Sequence, residues 1–106
     1  KFHTHTNFTP SSYDLVVNTT SAGLCNDELP CDKHLLNDIF SNSKFAFDVI
    51  YNKNTQFLRL ANELNVQNKD GRDMLLYQAV LAFNIFFDNK FNQDKITQLM
   101  RGVFEL

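Results

Sequence analysis

Two short apolar runs with a helical stretch between them constrain the fold of this chain more than any other feature. The runs are residues 13–19 and residues 45–51. Neither alternates between apolar and polar residues, as a strand with one face in water would. Each run therefore predicts a strand that is covered on both faces, which is typical of a parallel sheet.

The stretches around these runs predict helices and one more strand. Asp32 is the predicted N-cap of the first helix, because it precedes apolar residues at helical spacing. Residues 65–68 predict a short third strand. The apolar positions of the first helix are Leu35, Leu36, Ile39 and Phe40, and those of a second helix are Phe57, Leu58, Ala61 and Leu64.

The end of the chain is predicted to be helical. A long helix is expected from near Gly71 to about Phe87, and a last helix is expected to be capped near Asn92 or Asp94. Gln78 lies on the predicted apolar stripe of the long helix, where a buried amide needs a partner. The stripe consists of Met74, Leu75, Gln78, Ala79, Ala82, Ile85 and Phe86, and the last helix places Ile96, Leu99, Met100 and Val103 on one face.

The order of these elements predicts an α/β fold of one partial domain. Residues 1–69 are interpreted as the second half of a doubly wound, Rossmann-like domain with short parallel strands, and residues 70–106 as C-terminal helices. The glycine-rich loop that opens such a domain is missing. Either the fold is of another kind, or the chain begins partway through it.

Charge and composition favour a cytoplasmic protein that binds neither nucleic acid nor membranes. The net charge is −2 with both signs scattered, and no apolar run reaches the roughly 20 residues that span a bilayer. Cys25 and Cys31 are expected to be free thiols. His3 and His5 do not form the close ligand pairs of a structural zinc site, so no metal is predicted.

The residues that follow the two predicted strands are the first candidates for a ligand site. Ligands of parallel α/β sheets bind outside the carboxyl ends of the strands. Thr20, Ser21 and Gly23 follow the first run, and Tyr51 ends the second. The same residues are also compatible with an ordinary turn and a cap on the core, and the pattern alone leaves both interpretations open.

Three segments resemble the signatures of the shikimate dehydrogenase family. Residues 18–24 resemble its Asn-Ala-Thr-Pro/Ser-x-Gly-Met segment, and residues 48–51 with Thr55 resemble its Asp-x-x-Tyr…Thr segment. Residues 70–79 resemble its Asp-Gly-x-x-Met-Leu-x-x-Gln-Ala helix start. The chain departs from the family at Thr19, where the family has Ala, and at Lys53 and Gln56, where it often has Pro.

The resemblance implies the C-terminal part of an NADP-dependent oxidoreductase that reduces 3-dehydroshikimate to shikimate. Tyr51 and Gln78 match the positions that bind shikimate. The family's catalytic Lys-Asp pair and its glycine-rich cofactor loop have no counterpart here, so no catalytic residue is assigned and this chain alone is expected to be inactive. The positions that match cofactor contacts are Val49, Gly71, Met74, Thr20 and Ser21.

Two further hypotheses concern partners. The alternative to an enzyme is a non-enzymatic α/β interaction module whose helical tail binds a partner through the stripe from Ile96 to Val103. In addition, the strand at residues 13–19 is expected to have one unpaired edge. Such edges recruit other chains, so a homodimer is predicted.

Overall fold

A computed structural model of the chain describes residues 3, 4 and 7–105, except for the side chain of Phe104. The chain forms two compact units that meet in sequence between Gly71 and Arg72. None of the helices in the described part is long and apolar enough to cross a bilayer.

The first unit contains a parallel sheet of three strands in the order β1-β2-β3. The strands are β1 (Tyr13–Asn18), β2 (Ser43–Asp48) and β3 (Gln67–Lys69). Val16 is paired with Ala46, and Asn18 with Asp48. The predicted parallel sheet is confirmed, although β2 ends at Asp48, before the predicted end at Tyr51.

Two helices connect the strands, and each begins at a side-chain cap. Asp32 caps α1 (Lys33–Ser41), where its carboxyl group accepts a hydrogen bond from the backbone N–H of His34 at 2.9 Å. Thr55 caps α2 (Gln56–Glu63) by accepting one from the N–H of Leu58 at 3.3 Å. The N-cap predicted at Asp32 is confirmed.

The core of the first unit lies between one face of the sheet and both helices. The rings of Phe40 and Phe57 meet edge to face, with their centroids 5.0 Å apart. Val16 packs against this cluster from β1. The buried members are Leu36, Phe40, Ala46, Phe57, Leu58, Leu60, Ala61 and Val66.

The other face of β1 is open to solvent in this chain. Leu15 is 55% exposed, and Val17 is also exposed. The prediction that both faces of this strand are covered is therefore wrong for the chain by itself. The physical reason is that α1 and α2 both pack on the face that carries Val16 and Ala46.

The second unit consists of two helices, α3 (Arg72–Phe86) and α4 (Gln93–Phe104). Asn92 caps α4 as predicted, accepting a hydrogen bond from the N–H of Lys95 at 3.0 Å. The small core between the helices contains Leu76, Val80 and Ile96, with Phe83 and Met100 packed against it.

The predicted apolar stripe of α3 is on the wrong face. The buried residues of this helix are Leu76, Val80 and Asn84, whereas Gln78 and Phe86 are exposed. Apolar residues occur on nearly every side of α3, so their spacing does not single out one face. Gln78 is therefore not the buried amide that the sequence predicted.

The predicted face of α4 is divided between core and solvent. Ile96 is buried and Met100 is half-buried, but Leu99 and Val103 are each 67% exposed. One part of the apolar stripe thus packs on α3, and the other part remains uncovered.

Candidate functional site

The carboxyl edge of the sheet carries two buried polar side chains. Asn18 ends β1 and Asp48 ends β2, and these two residues are paired in the sheet register. Asn18 is 2% exposed and Asp48 is 0% exposed. Buried polar groups of this kind are stable only when hydrogen-bonded, so their partners define the local structure.

Asp48 accepts hydrogen bonds from three different segments. Its Oδ1 atom accepts one from Asn18 Nδ2 at 3.3 Å and one from the backbone N–H of Ile50 at 3.1 Å. Its Oδ2 atom accepts one from the hydroxyl of Thr55 at 2.7 Å. This carboxyl group thus joins the end of β1, the segment after β2 and the start of α2.

Asn18 extends this network into the loop after β1. Its Oδ1 atom accepts hydrogen bonds from the backbone N–H and the hydroxyl of Thr20, at 3.0 and 2.7 Å. The loop then turns at Gly23, which has a φ of +96°. A side chain at this position would also crowd Thr55. Thr20 and Ser21 are left exposed at the edge of the sheet.

The segment after β2 runs from Val49 to Tyr51 and is held on both sides by backbone hydrogen bonds. The N–H of Val49 donates to the carbonyl of Asn18 at 3.2 Å, and the N–H of Gly71 donates to the carbonyl of Ile50 at 3.1 Å. Tyr51 is exposed. Val49 and Tyr51 therefore stand in an anchored segment beyond the strand, not within it as predicted.

Gly71 is needed for close packing against this segment. A Cβ atom added at Gly71 would lie 2.1 Å from the carbonyl oxygen of Val49. That separation is far shorter than a non-bonded contact allows, so no larger residue fits without a backbone shift. The structure thus brings two of the predicted cofactor residues, Val49 and Gly71, directly together.

A groove of about 350 Å³ lies beside β1 on the same unit. Its lining includes Thr19 and Thr20 from the loop, and Cys31 and Phe57 from the helical layer. Burial, together with the charge of Asp32, raises the pKa of the Cys31 thiol above its ordinary value. Cys31 is therefore less able to form a thiolate than a solvated cysteine.

The loop that follows this edge is tied to α2 by residues that depart from the family pattern. Lys53 Nζ donates to the carbonyl of Leu24, and Gln56 Nε2 donates to the carbonyl of Asp27. Arg59 Nη2 contacts both carboxyl oxygens of Asp27 at 2.8 Å. Lys53 and Gln56 are the two positions at which the sequence departs from the family's proline pattern, and both make side-chain contacts to this loop.

The remaining predicted site residues lie on α3. Met74 and Gln78 are four positions apart on this helix, which places them on the same side of it, and both are exposed. Their side chains are accessible, in contrast to the buried placement that the sequence predicted for Gln78.

Four polar residues were missed as structural elements of the site or the core. Asn18, Asp48 and Thr55 form the network described above, and Asn84 is buried on α3 with an Oδ1 atom that has no partner among the described residues. A usable signal existed for Asp48, because a carboxyl residue inside an apolar run predicted to be buried must have donors around it.

The described part of the chain contains no group of three or more His, Cys, Asp or Glu side chains that could hold a metal ion. His5, one of the two alternating histidines, lies outside the described residues.

Comparison with known proteins shows which family the chain resembles. A shikimate dehydrogenase (NADP(+)) of Helicobacter pylori strain J99 is 47% identical over 94 residues, which cover 89% of this chain and 35% of that protein. A crystal structure of shikimate dehydrogenase 1 from Peptoclostridium difficile superposes with a TM-score of 0.70 at 27% identity, over 87% of this chain and 34% of that one. The chain matches the C-terminal part of shikimate dehydrogenases.

This match confirms the resemblance that the three segments predicted. A shikimate dehydrogenase solved in complex with NADP+ also superposes, with a TM-score of 0.63 and 26% identity over 86% of this chain and 32% of that one. No family model matches the chain. The chain spans about a third of the length of the shikimate dehydrogenases it matches, and the interaction-module alternative is not favoured.

Proposed function

We propose that the whole protein of which this sequence forms a part is an NADP-dependent shikimate dehydrogenase. Such an enzyme reduces 3-dehydroshikimate to shikimate on the route to chorismate and the aromatic amino acids, and we place it in the cytoplasm. The observation that carries the proposal is the 47% identity to an NADP(+) enzyme of this name, together with the anchored edge at Val49 and Gly71.

The geometry of the first unit is compatible with a cofactor at this edge. The absence of a side chain at Gly71 and the close approach of the Val49 carbonyl keep the backbone compact there. Thr20 and Ser21 offer exposed hydroxyl groups on the neighbouring loop. We propose these four residues as cofactor contacts, with Met74 of α3 as a fifth. NADPH would supply the hydride for the reduction.

Tyr51 and Gln78 are the proposed substrate contacts. A phenol and an amide can each donate a hydrogen bond to, and accept one from, the hydroxyl groups of a small polyol. Both side chains are exposed in this chain, so both are available to a ligand in the whole protein.

We propose that proton delivery depends on residues that this sequence does not contain. The family's catalytic Lys-Asp pair has no matching segment here, and the reduction of a carbonyl needs a group that supplies a proton to the oxygen. We therefore expect a protein of these 106 residues to be inactive and to bind NADP weakly. Its pyrophosphate-binding helix start has no counterpart in the sequence either.

Steady-state kinetics of the full-length protein test the proposed function. Shikimate and quinate are each assayed with NADP and with NAD. The proposal predicts that shikimate with NADP gives the highest kcat/KM of the four pairs. A full-length, folded protein that reduces neither cofactor with shikimate would contradict it.

We also propose that the 106-residue chain forms a homodimer through β1. This strand is at the edge of the sheet and pairs only with β2 in the described chain, and its Leu15 and Val17 side chains are exposed. An unpaired strand edge with exposed apolar side chains beside it favours pairing with a second copy of the chain. Light scattering over a range of concentrations should show a dimer, and a monomer at the highest concentration would contradict the idea.

A further inference from the structure

The carboxyl group of Asp48 is the most completely enclosed charged-type side chain in the described structure. It has no solvent exposure, and its neighbours along the chain, Phe47 and Val49, are apolar. Placing such a group in the interior is unfavourable unless donors surround it. Three donors do so, and each comes from a segment next to the candidate site.

The two oxygen atoms of Asp48 close the segment that contains Val49 and Tyr51. Oδ1 accepts from the N–H of Ile50, near the start of the segment. Oδ2 accepts from the hydroxyl of Thr55, at its far end. Residues 49–54 therefore form a loop whose two ends are fastened to one side chain.

The same carboxyl group also fixes the neighbouring loop through Asn18. Asn18 Nδ2 donates to Asp48, while Asn18 Oδ1 accepts both hydrogen bonds from Thr20. Turning Asn18 away from Asp48 would therefore release Thr20 as well. One buried network thus holds two of the loops that carry proposed ligand contacts.

A role in packing alone does not explain this choice of residue. The apolar cluster on this side of the sheet contains Ala46 and Phe57. An apolar residue at the end of β2 would extend that cluster at a lower desolvation cost than a carboxyl group. The donors of Asp48 belong to the edge of the sheet and its loops. A carboxyl group can accept from an N–H, an amide and a hydroxyl at once, which an apolar residue cannot do.

We propose that Asp48 is a positioning residue that sets the placement of the Val49 carbonyl and the Tyr51 phenol toward cofactor and substrate. The inference rests on the proposed function, because it assigns Asp48 a part in that reaction. Asp48 has no solvent-exposed surface, so we do not assign it a direct ligand contact. It acts through Ile50, Thr55 and Asn18, so its loss should lower turnover in molecules that remain folded.

The experiment uses the full-length protein and two kinds of variant. Asp48→Asn keeps the shape of the side chain but replaces one acceptor oxygen with a donor group. Thr55→Val keeps the shape of Thr55 but removes the hydroxyl that donates to Asp48 and also caps α2, whereas Thr55→Ser retains that hydroxyl. Asp14→Asn is the matched control, because Asp14 is an exposed residue of β1 whose ion-pair partner is Lys44. Kinetics with shikimate and NADP are measured well below each variant's Tm.

The inference predicts that Asp48→Asn and Thr55→Val each lower kcat/KM by about tenfold or more, with the loss divided between kcat and KM. Thr55→Ser should restore it to within about threefold of the parent, and Asp14→Asn should match the parent. If Asp48→Asn does not fold, the comparison of Thr55→Val with Thr55→Ser decides the question by itself.

A purely structural network gives a different result. The variants would then have a lower Tm but keep the parent's kcat/KM when folded, and this outcome would overturn the inference while leaving the proposed function intact. A parent protein that does not turn over shikimate with NADP would overturn the proposed function first, and the inference with it.

Discussion

The two units of this chain differ in how they cover their apolar residues. The first unit encloses one cluster between a sheet face and two helices, with Phe40 and Phe57 almost wholly buried. The second unit has a small core at Leu76, Val80 and Ile96. It leaves other large apolar side chains exposed, among them Leu81, Ile85, Phe86, Phe91, Leu99 and Val103.

The difference extends to buried polar groups. In the first unit, Asn18, Asp48 and Thr55 bond to one another, so their burial is compensated. In the second unit, Asn84 keeps an Oδ1 atom without a partner among the described residues. A unit that closes its own core and polar network can hold a site in place. The apolar surface of the helical unit is typical of a surface that other parts of a protein cover.

Truncating matched phenylalanines should give the largest contrast between the units. Phe57→Ala removes a buried ring that contacts Phe40, and it should destabilise the 106-residue chain by about 3–5 kcal/mol. Phe86 is 80% exposed, so Phe86→Ala should change the free energy of unfolding by less than about 0.5 kcal/mol. Urea denaturation measures both values. Equal losses at the two positions would mean that the units are covered alike.

The same two phenylalanine variants can also be measured in the full-length protein. If the remainder of the protein covers the helical unit, Phe86→Ala should cost about 3 kcal/mol there, since it would then empty a buried site. A cost that stays near zero would show that this surface remains exposed in the whole protein.

Adding a methyl group at a glycine should have opposite effects in the two units. Gly71→Ala brings a Cβ atom to 2.1 Å from the Val49 carbonyl, and the resulting shift should destabilise the chain by about 1–3 kcal/mol. Gly102 lies inside α4 with open space around it, so Gly102→Ala should stabilise the chain by about 0.5–1 kcal/mol. Thermal unfolding measures whether each variant is less or more stable than the parent chain. A neutral Gly71→Ala variant would contradict the close packing at the edge.

A surface ion pair should give the smallest effect. Hydrogen bonding from Arg59 holds the pKa of Asp27 below its ordinary value of 3.8. A lowered pKa in the folded state adds stability that is complete above the ordinary value and is lost as the pH falls through the folded value. Arg59→Gln should therefore raise the pKa of Asp27 and reduce that acid-side dependence, although the hydrogen bond from Gln56 still lowers this pKa.

An NMR titration of Asp27 measures this shift directly. The control is Arg101→Gln, which breaks the ion pair to Asp73 at 3.0 Å in the second unit and should leave Asp27 unchanged. An Asp27 pKa that is the same with and without Arg59 would show that the pair is not formed in solution.

The sequence predicts the first unit better than the second for a physical reason. The runs at β1 and β2 are bounded by polar residues and α1 has a recognisable cap at Asp32, so local signals agree with the fold. In α3 the apolar residues surround the helix, and the face that packs is chosen by contact with Ile96 of α4. That choice depends on tertiary contacts, which periodicity does not contain, and it explains why Gln78 was placed on the wrong face.

The candidate site shows the same division. Gly71 and Val49 could be selected because segments 48–51 and 70–79 resemble a family, and the structure brings the two residues together. The network of Asn18, Asp48 and Thr55 was not predicted. Thr55 is only seven residues from Asp48, but Asn18 is 30 residues away and meets Asp48 only when β1 and β2 have paired.

Replacing Gln78 in the full-length protein tests whether exposed polar residues of this chain bind shikimate. Gln78→Ala is compared with Gln98→Ala, since Gln98 is an exposed glutamine on α4 without a proposed role. We expect kcat/KM for shikimate to fall at least about tenfold in Gln78→Ala, which equals about 1.4 kcal/mol of transition-state stabilisation, and to stay at the parent value in Gln98→Ala. A folded Gln78→Ala enzyme with the parent's kcat/KM would contradict the assignment.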